Sequence, residues 1–264
     1  MTDPNAHRPR KRFGQHFLTD SSVVERIVDW VAPPASVALV EIGPGLGALS
    51  LPLLKRYGQL HALELDRDIV PKLERRAAGL GQLSVIQCDV LGFDFVALST
   101  QLDKPLRLVG NLPYNISTPL VFHLCEQKSH IESMHFMLQK EVVDRLAAQP
   151  GDKAYGRLSI MAQYHCEVSP VFTVAPGSFN PPPRVDSAVV TMRPHKTPPF
   201  DVGDPALFQQ IVTSAFSAPR KTLRNALAKL FDEERLRTAG IDPQTRAERV
   251  TPQEYAALSR QLGG

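Results

Sequence analysis

From Val37 onward the chain alternates between apolar runs and amphipathic ones. "VALVEIG" (37–43) reads as a buried strand, "LSLPLLKRYG" (49–58) as a helix stopped by Gly58, and "QLHALELD" (59–66) as a second strand. "IVPKLERRAAGLG" (69–81) has helical spacing, while "LSVIQCD" (83–89) and "PLRLVG" (105–110) read as the third and fourth strands. "ISTPLVFHLCEQ" (116–127), with Pro119 in its first turn, is a helix, and "SMHFMLQ" (133–139) a fifth strand. Strands alternating with helices join through right-handed crossovers, so the pattern predicts an α/β fold built on a doubly wound parallel sheet. Ahead of the sheet, "TDSSVVERIVDWV" (19–31) predicts an amphipathic helix, with Ser22 and Glu25 spaced as a capping box.

Beyond the fifth strand the alternation stops. "KEVVDRLAAQ" (140–149) and "YGRLSIMAQYHC" (155–166) are helical, and two β-rich runs come next, "EVSPVFTV" (167–174) and "DSAVVTMRP" (186–194). They are too close for a helix between them and predict an antiparallel hairpin at the sheet edge. The segment joining them, "PGSFNPPPRV" (176–185), is a stiff Pro-rich loop. "HKTPPFDVGDP" (195–205) reads as a boundary, and from about residue 204 only helices are predicted, a small all-α C-terminal domain. The expected organisation is a basic disordered tail over 1–12, an α/β domain over 13–195 and a helical domain over 204–264.

Composition narrows this picture. At 264 residues with 43% hydrophobic and 22% charged positions, the chain has the profile of an ordinary soluble globular protein. It holds no apolar run of the roughly 20 residues a membrane helix needs and no N-terminal h-region, so a cytoplasmic protein is expected. Cys88, Cys125 and Cys166 are far apart and form no C-x-x-C pair, so no metal site is expected. The charge is uneven: residues 1–12 and 215–264 each carry a net +3, whereas 13–214 carry −3. Basic ends around an acidic centre fit a polyanion-binding enzyme.

Candidate chemistry gathers at predicted strand ends. In "EIGPGLGALS" (41–50), Gly43, Gly45 and Gly47 permit a tight turn into a helix N-terminus, the setting for an adenosine-containing cofactor, whether NAD or S-adenosylmethionine. Glu64, 21 residues after Gly43, is placed to accept from ribose hydroxyls. Asp89 after the third strand is either an acceptor for an adenine amino group or the cap of the next segment. The fourth strand runs into "NLPY", where Asn111, the Leu112 carbonyl held before Pro113, and the Tyr114 ring suit a flat base with an exocyclic amine. Two acceptors on an adenine N6 and an aromatic face beside it would hold that nitrogen for attack on an electrophilic methyl, a set that hydride transfer does not need.

The ordered series "RFGQHFL" (12–18), "EIGPGLG" (41–47), "LELD" (63–66), "CDV" (88–90), "NLPYNIST" (111–118), "MLQKEV" (137–142), "YGRLS" (155–159) and "FNPPPRVDSAV" (179–189) closely resembles the small-subunit rRNA adenine N6,N6-dimethyltransferases, the bacterial family often called KsgA or RsmA. The resemblance runs from about residue 10 to the C-terminus. It implies a Rossmann-like class I methyltransferase sheet and dimethylation, from S-adenosylmethionine, of two adjacent adenines in the 3′-terminal hairpin loop of 16S rRNA. The implied partner is the immature 30S subunit; with no inserted target-recognition segment, no long apolar run and no coiled-coil pattern in the sequence, no DNA, no membrane and a monomer are expected. His16 and Leu18 would cover the methionine end of the cofactor, with Gly43 beneath it. Glu64 would hold the ribose, Asp89 the adenine, and Asn111 would join cofactor and target. Tyr114 and Phe179 would form the two faces of a clamp on the flipped adenine. His16 stands where many members of that family have Asn.

The run "SAPRKTLRNALAKL" (217–230) predicts a basic helix with Arg220 and Arg224 on one face and Lys221 beside them, which the resemblance makes an rRNA phosphate contact. Rival readings are the related large-subunit adenine methylase of macrolide resistance, a DNA adenine methyltransferase, and a non-catalytic RNA-binding assembly protein.

Overall fold

The computed structural model describes residues 16–263. The tail at 1–12 lies outside them. A seven-stranded mixed sheet has the order β4-β3-β2-β5-β6-β9-β7. Its parallel part comprises β2 (Ala38–Ile42), β3 (Gln59–Glu64), β4 (Gln82–Gln87), β5 (Leu106–Asn111) and β6 (Ile131–Gln139). β9 (Ser187–Pro194) runs antiparallel to β6, and β7 (Cys166–Val174) completes that edge. Central β2 is buried at all five positions whereas edge strand β4 is half open, as expected for a parallel sheet covered on both faces. The chain winds outward from β2 to β3 and β4, then returns to the other side of β2 with β5 and β6. This order makes a switch point between β2 and β5, where the carboxyl ends leave a crevice. Gly110 in β5 permits close strand packing there, since a Cβ would stand 2.5 Å from the Ile42 carbonyl oxygen.

Helices α1 (Ser21–Val31), α2 (Ser50–Tyr57), α3 (Val70–Ala77), α4 (Phe95–Leu102), α5 (Ser117–Glu126) and α6 (Lys140–Ala147) accompany the sheet, followed by α7 (Arg157–His165). The N-cap of α1 is Asp20, whose carboxylate accepts from the Ser22 and Val23 amides; Ser22, expected as the cap, lies inside the helix. A short ladder not expected from the sequence pairs β1 (Phe17–Leu18) with β8 (Phe179–Asn180), setting Leu18 opposite Phe179. It ties the start of the described chain to the Pro-rich loop.

The chain divides into two compact units, one running through Val143 and including Ser169–Pro194, the other comprising Asp144–Val168 and His195–Gly264. In the second unit, α8 (Pro205–Phe216) starts at the Asp204 cap and α11 (Pro252–Gly263) buries Tyr255 beside Phe216. The Tyr255 and Tyr155 hydroxyls donate to the Ala247 and Val250 carbonyls, both at 3.0 Å. The basic run 217–230 is not one helix: α9 covers only Leu223–Ala226, and α10 follows at Glu233–Thr238. Pro219 has no N–H and pushes Ala218 away from helical geometry, and Thr222 is extended. Arg220 and Lys221 therefore precede the helix that holds Arg224 and share no helical face with it.

Candidate functional site

The Gly-rich turn leaves β2 and enters α2 with Gly43, Gly45 and Gly47 all at positive φ. At Gly43 the volume a Cβ would occupy is open, so backbone forms the floor of a cavity at the carboxyl edge. Glu64, buried at the end of β3, braces this turn: its two carboxylate oxygens accept from the Gly45 amide at 3.2 Å and the Asp66 amide at 2.8 Å. Burial pushes its pKa up, and these two backbone donors pull against that. An ionised carboxylate has further lone pairs for a ligand.

Glu41, a residue the motif reading passed over, lies behind the turn. It is 2% exposed, lines the same cavity, and accepts from the Ser50 hydroxyl at 2.5 Å. Burial pushes its carboxyl up to about 8, with the Glu64 charge adding to the effect and the Ser50 bond opposing it. The signal available in the sequence was an acid inside an otherwise wholly apolar central strand.

Asp89 stands two residues beyond β4 and caps the 3-10 turn Val90–Gly92 through the Leu91 amide at 3.0 Å, while also lining the cavity. Both of its predicted roles are therefore geometrically available.

Asn111 ends β5 and donates from Nδ2 to the His16 carbonyl at 3.0 Å, which sets the amide orientation and leaves Oδ1 as acceptor. Leu112 is fixed by its amide, which donates to the Met137 carbonyl at 3.1 Å, and by Pro113 after it. Tyr114 is half-buried; its hydroxyl shares a 2.9 Å hydrogen bond with the Ser187 hydroxyl. The ring packs against that of His16 with centroids 5.7 Å apart and planes 26° from parallel. His16 also donates from Nδ1 to the Pro181 carbonyl at 2.8 Å. Leu18 lines the cavity, as does Phe17, whose ring edge approaches within 3.2 Å of where a Gly45 Cβ would stand. Phe17 was also missed; a second Phe in "RFGQHFL" was its only trace.

His16, Leu18, Gly43, Glu64, Asp89, Asn111, Leu112 and Tyr114 thus surround one cavity. Phe179 does not join them. It is 4% exposed and packs in a core cluster with Leu18 and Val174, because the β1–β8 ladder turns it inward from the loop on which it was expected to project. Arg220, Lys221 and Arg224 are exposed and belong to the second unit. Arg224 is engaged with Glu233 at 2.6 Å.

A family model described as ribosomal RNA adenine dimethylase matches residues 6–262. The chain is 51% identical over 256 residues to ribosomal RNA small subunit methyltransferase A of Salmonella schwarzengrund, covering 97% of this chain and 94% of that one. It is 51% identical over 253 residues to the protein of the same name from Hahella chejuensis, covering 96% and 92%. A dimethyladenosine transferase from Plasmodium falciparum superposes with a TM-score of 0.74 at 24% identity, covering 92% of this chain and 96% of that one. The 23S rRNA methyltransferase ErmE superposes at 0.72 with 24% identity, covering 94% and 100%. These two structures share the fold.

Proposed function

The chain belongs to the ribosomal RNA adenine dimethylase family, and on that premise we propose that it dimethylates N6 of two adjacent adenines in the 3′-terminal hairpin loop of 16S rRNA, using S-adenosylmethionine. The observation that carries this reading is the convergence of the Gly turn, Glu64, Asp89 and the Asn111–Tyr114 loop on one cavity at the carboxyl edge of the sheet. The 51% identity to small-subunit enzymes favours 16S over 23S rRNA, a choice the fold alone leaves open because ErmE shares it.

The residues fit an adenosine-bearing cation. Gly43 offers open backbone, Glu64 a buried anion with spare lone pairs, Asp89 an acceptor at the rim, and Leu18 and His16 cover the opposite side. When bound, S-adenosylmethionine supplies a methyl group on a positively charged sulfur.

The chain's own work is positioning. An adenine amine is a weak nucleophile because its lone pair is drawn into the ring. Asn111 Oδ1 and the Leu112 carbonyl accept from N6 and hold it in line, and Tyr114 supports the base by stacking. Tyr114 takes no proton: burial raises its phenol pKa, so it remains neutral. The N6 proton, made acidic by methylation, leaves to water. Arg220 and Lys221 contact rRNA phosphates, which position the particle without reading sequence. The substrate is the immature 30S subunit, and the enzyme acts in the cytoplasm as a monomer.

The test is transfer of labelled methyl from S-adenosylmethionine to immature 30S particles, 50S particles and duplex DNA in parallel. Label in 30S rRNA alone supports the reading; label in 50S rRNA transfers the assignment to the large subunit.

A further inference from the structure

Two residues past the Pro-rich loop, Ser187 touches the loop that follows β5. Ser187 is fully buried, opens β9 opposite Gln139 at the end of β6, and has the Tyr114 hydroxyl 2.9 Å from its own. Its backbone is held on both sides: the Asp186 carbonyl accepts from the Lys140 amide at 2.9 Å, and the β6–β9 ladder begins at Ser187 itself. Tyr114, by contrast, sits on a loop. The backbone bonds nearest to it are the Leu112 amide to Met137 and the Ile116 amide to Pro113. The His16 ring packed against it bears on its plane, but rotation about χ1 would swing the ring across the cavity mouth unless its far end were held. The Ser187 hydroxyl holds that end.

We infer that Ser187 is a positioning residue for methyl transfer: it holds the tip of the Tyr114 ring, and so the direction in which the ring points, and through the ring the placement of the target adenine between the Asn111 and Leu112 acceptors. This rests on reading Tyr114 as the face for the target base. A stacking surface contributes fully only if its orientation is set before the base arrives, since ordering a side chain on binding subtracts from the gain. The bond has no acid–base duty, because burial keeps the phenol protonated, so its effect is geometric. It also joins the loop after β5 to the strand that follows the Pro-rich loop, two segments more than 70 residues apart in sequence.

The experiment compares S187A, Y114F and the double variant in single-turnover methyl transfer to 30S particles. A second readout is the fluorescence of 2-aminopurine placed at the target adenine, which is quenched when the base stacks. S187A and Y114F break the same bond from opposite ends, so each is expected to lower the transfer rate about 10-fold. The double variant should fall no further, because the bond is lost only once. Both single variants should lose part of the 2-aminopurine quenching, while cofactor Kd, 30S Kd and Tm stay within about twofold or 2 °C of the parent. A wild-type rate in S187A overturns the inference, as does a double variant reduced by the product of the two single losses. If S187A is poorly folded, Y114F alone decides: an unchanged rate and quench overturn it. Y114A tests the underlying reading separately, for full transfer by Y114A removes Tyr114 from the adenine site whatever Ser187 does.

Discussion

Replacing Glu41 by Gln should stabilise the protein, by an amount that depends on pH. In the native chain the Glu41 carboxyl titrates near 8 because burial disfavours its anion, against 4.5 when unfolded. A carboxyl whose folded pKa is raised contributes stability that is full below the unfolded value and is lost as pH climbs toward the folded one. Relative to strongly acidic pH, proton linkage at this one group therefore lowers wild-type stability by about 1 kcal/mol at pH 5 and about 3 kcal/mol at pH 7. Gln is neutral throughout and its carbonyl still accepts from Ser50, so the E41Q advantage should grow from about 1 to about 3 kcal/mol over that interval. Urea denaturation of the full chain and of E41Q at half-unit pH steps, without cofactor, measures the difference. A gap that is constant with pH would mean that Glu41 is ionised in the folded cavity and that the burial argument fails. The same variant should lose affinity for S-adenosylmethionine more than for the neutral sulfur of S-adenosylhomocysteine, because a cation beside Glu41 favours the carboxylate that Gln cannot form; calorimetry with both ligands checks it.

Three other substitutions probe the geometry. E64Q keeps the shape but removes the charge-assisted acceptor and turns an amide NH2 toward one of the two backbone donors, so cofactor Kd should rise roughly 10- to 100-fold by calorimetry. N111A should lower the transfer rate roughly 100-fold while leaving 30S affinity within about twofold, because the lost acceptor acts on the reacting amine; stopped transfer assays against filter binding separate the two effects. R220A/K221A should weaken 30S binding uniformly and reduce the slope of log K against log salt by about 2, whereas R224A should change the slope less, its charge being already paired with Glu233.

Much of this architecture was legible because a parallel sheet advertises itself. β2 is buried at all five positions and β5 at all but Asn111, most of them apolar, and the turns at their carboxyl ends carry the residues that face a ligand. What escaped depended on long-range pairing or on a compromise of local rules. The β1–β8 ladder joins residues more than 160 apart and turns Phe179 inward, so a Pro-rich flank that reads as a projecting loop buries its aromatic instead. Helix α4 is a short run whose apolar and polar residues give little contrast between faces, and it was not expected. The basic C-terminal run has helical spacing, yet Pro219 and the extended Thr222 interrupt it. Asp144–Val168 groups with the helical unit although it is flanked in sequence by strands of the sheet, a consequence of packing that no local pattern records. At the site, Glu64 and Asn111 were found because their chemistry is exposed by motif spacing. Glu41 and Ser187 were not, because a buried acid and a buried hydroxyl acquire meaning only from their partners.

The measurement that bears on the whole reading is nucleoside analysis of rRNA from immature 30S particles after reaction with this protein and S-adenosylmethionine. We expect N6,N6-dimethyladenosine at two adjacent positions of the 3′-terminal hairpin loop, formed roughly 100-fold more slowly by N111A. Recovery of the modified nucleoside from 23S rRNA instead, or cofactor binding with unmodified 30S rRNA, would show that the cavity has been assigned the wrong substrate.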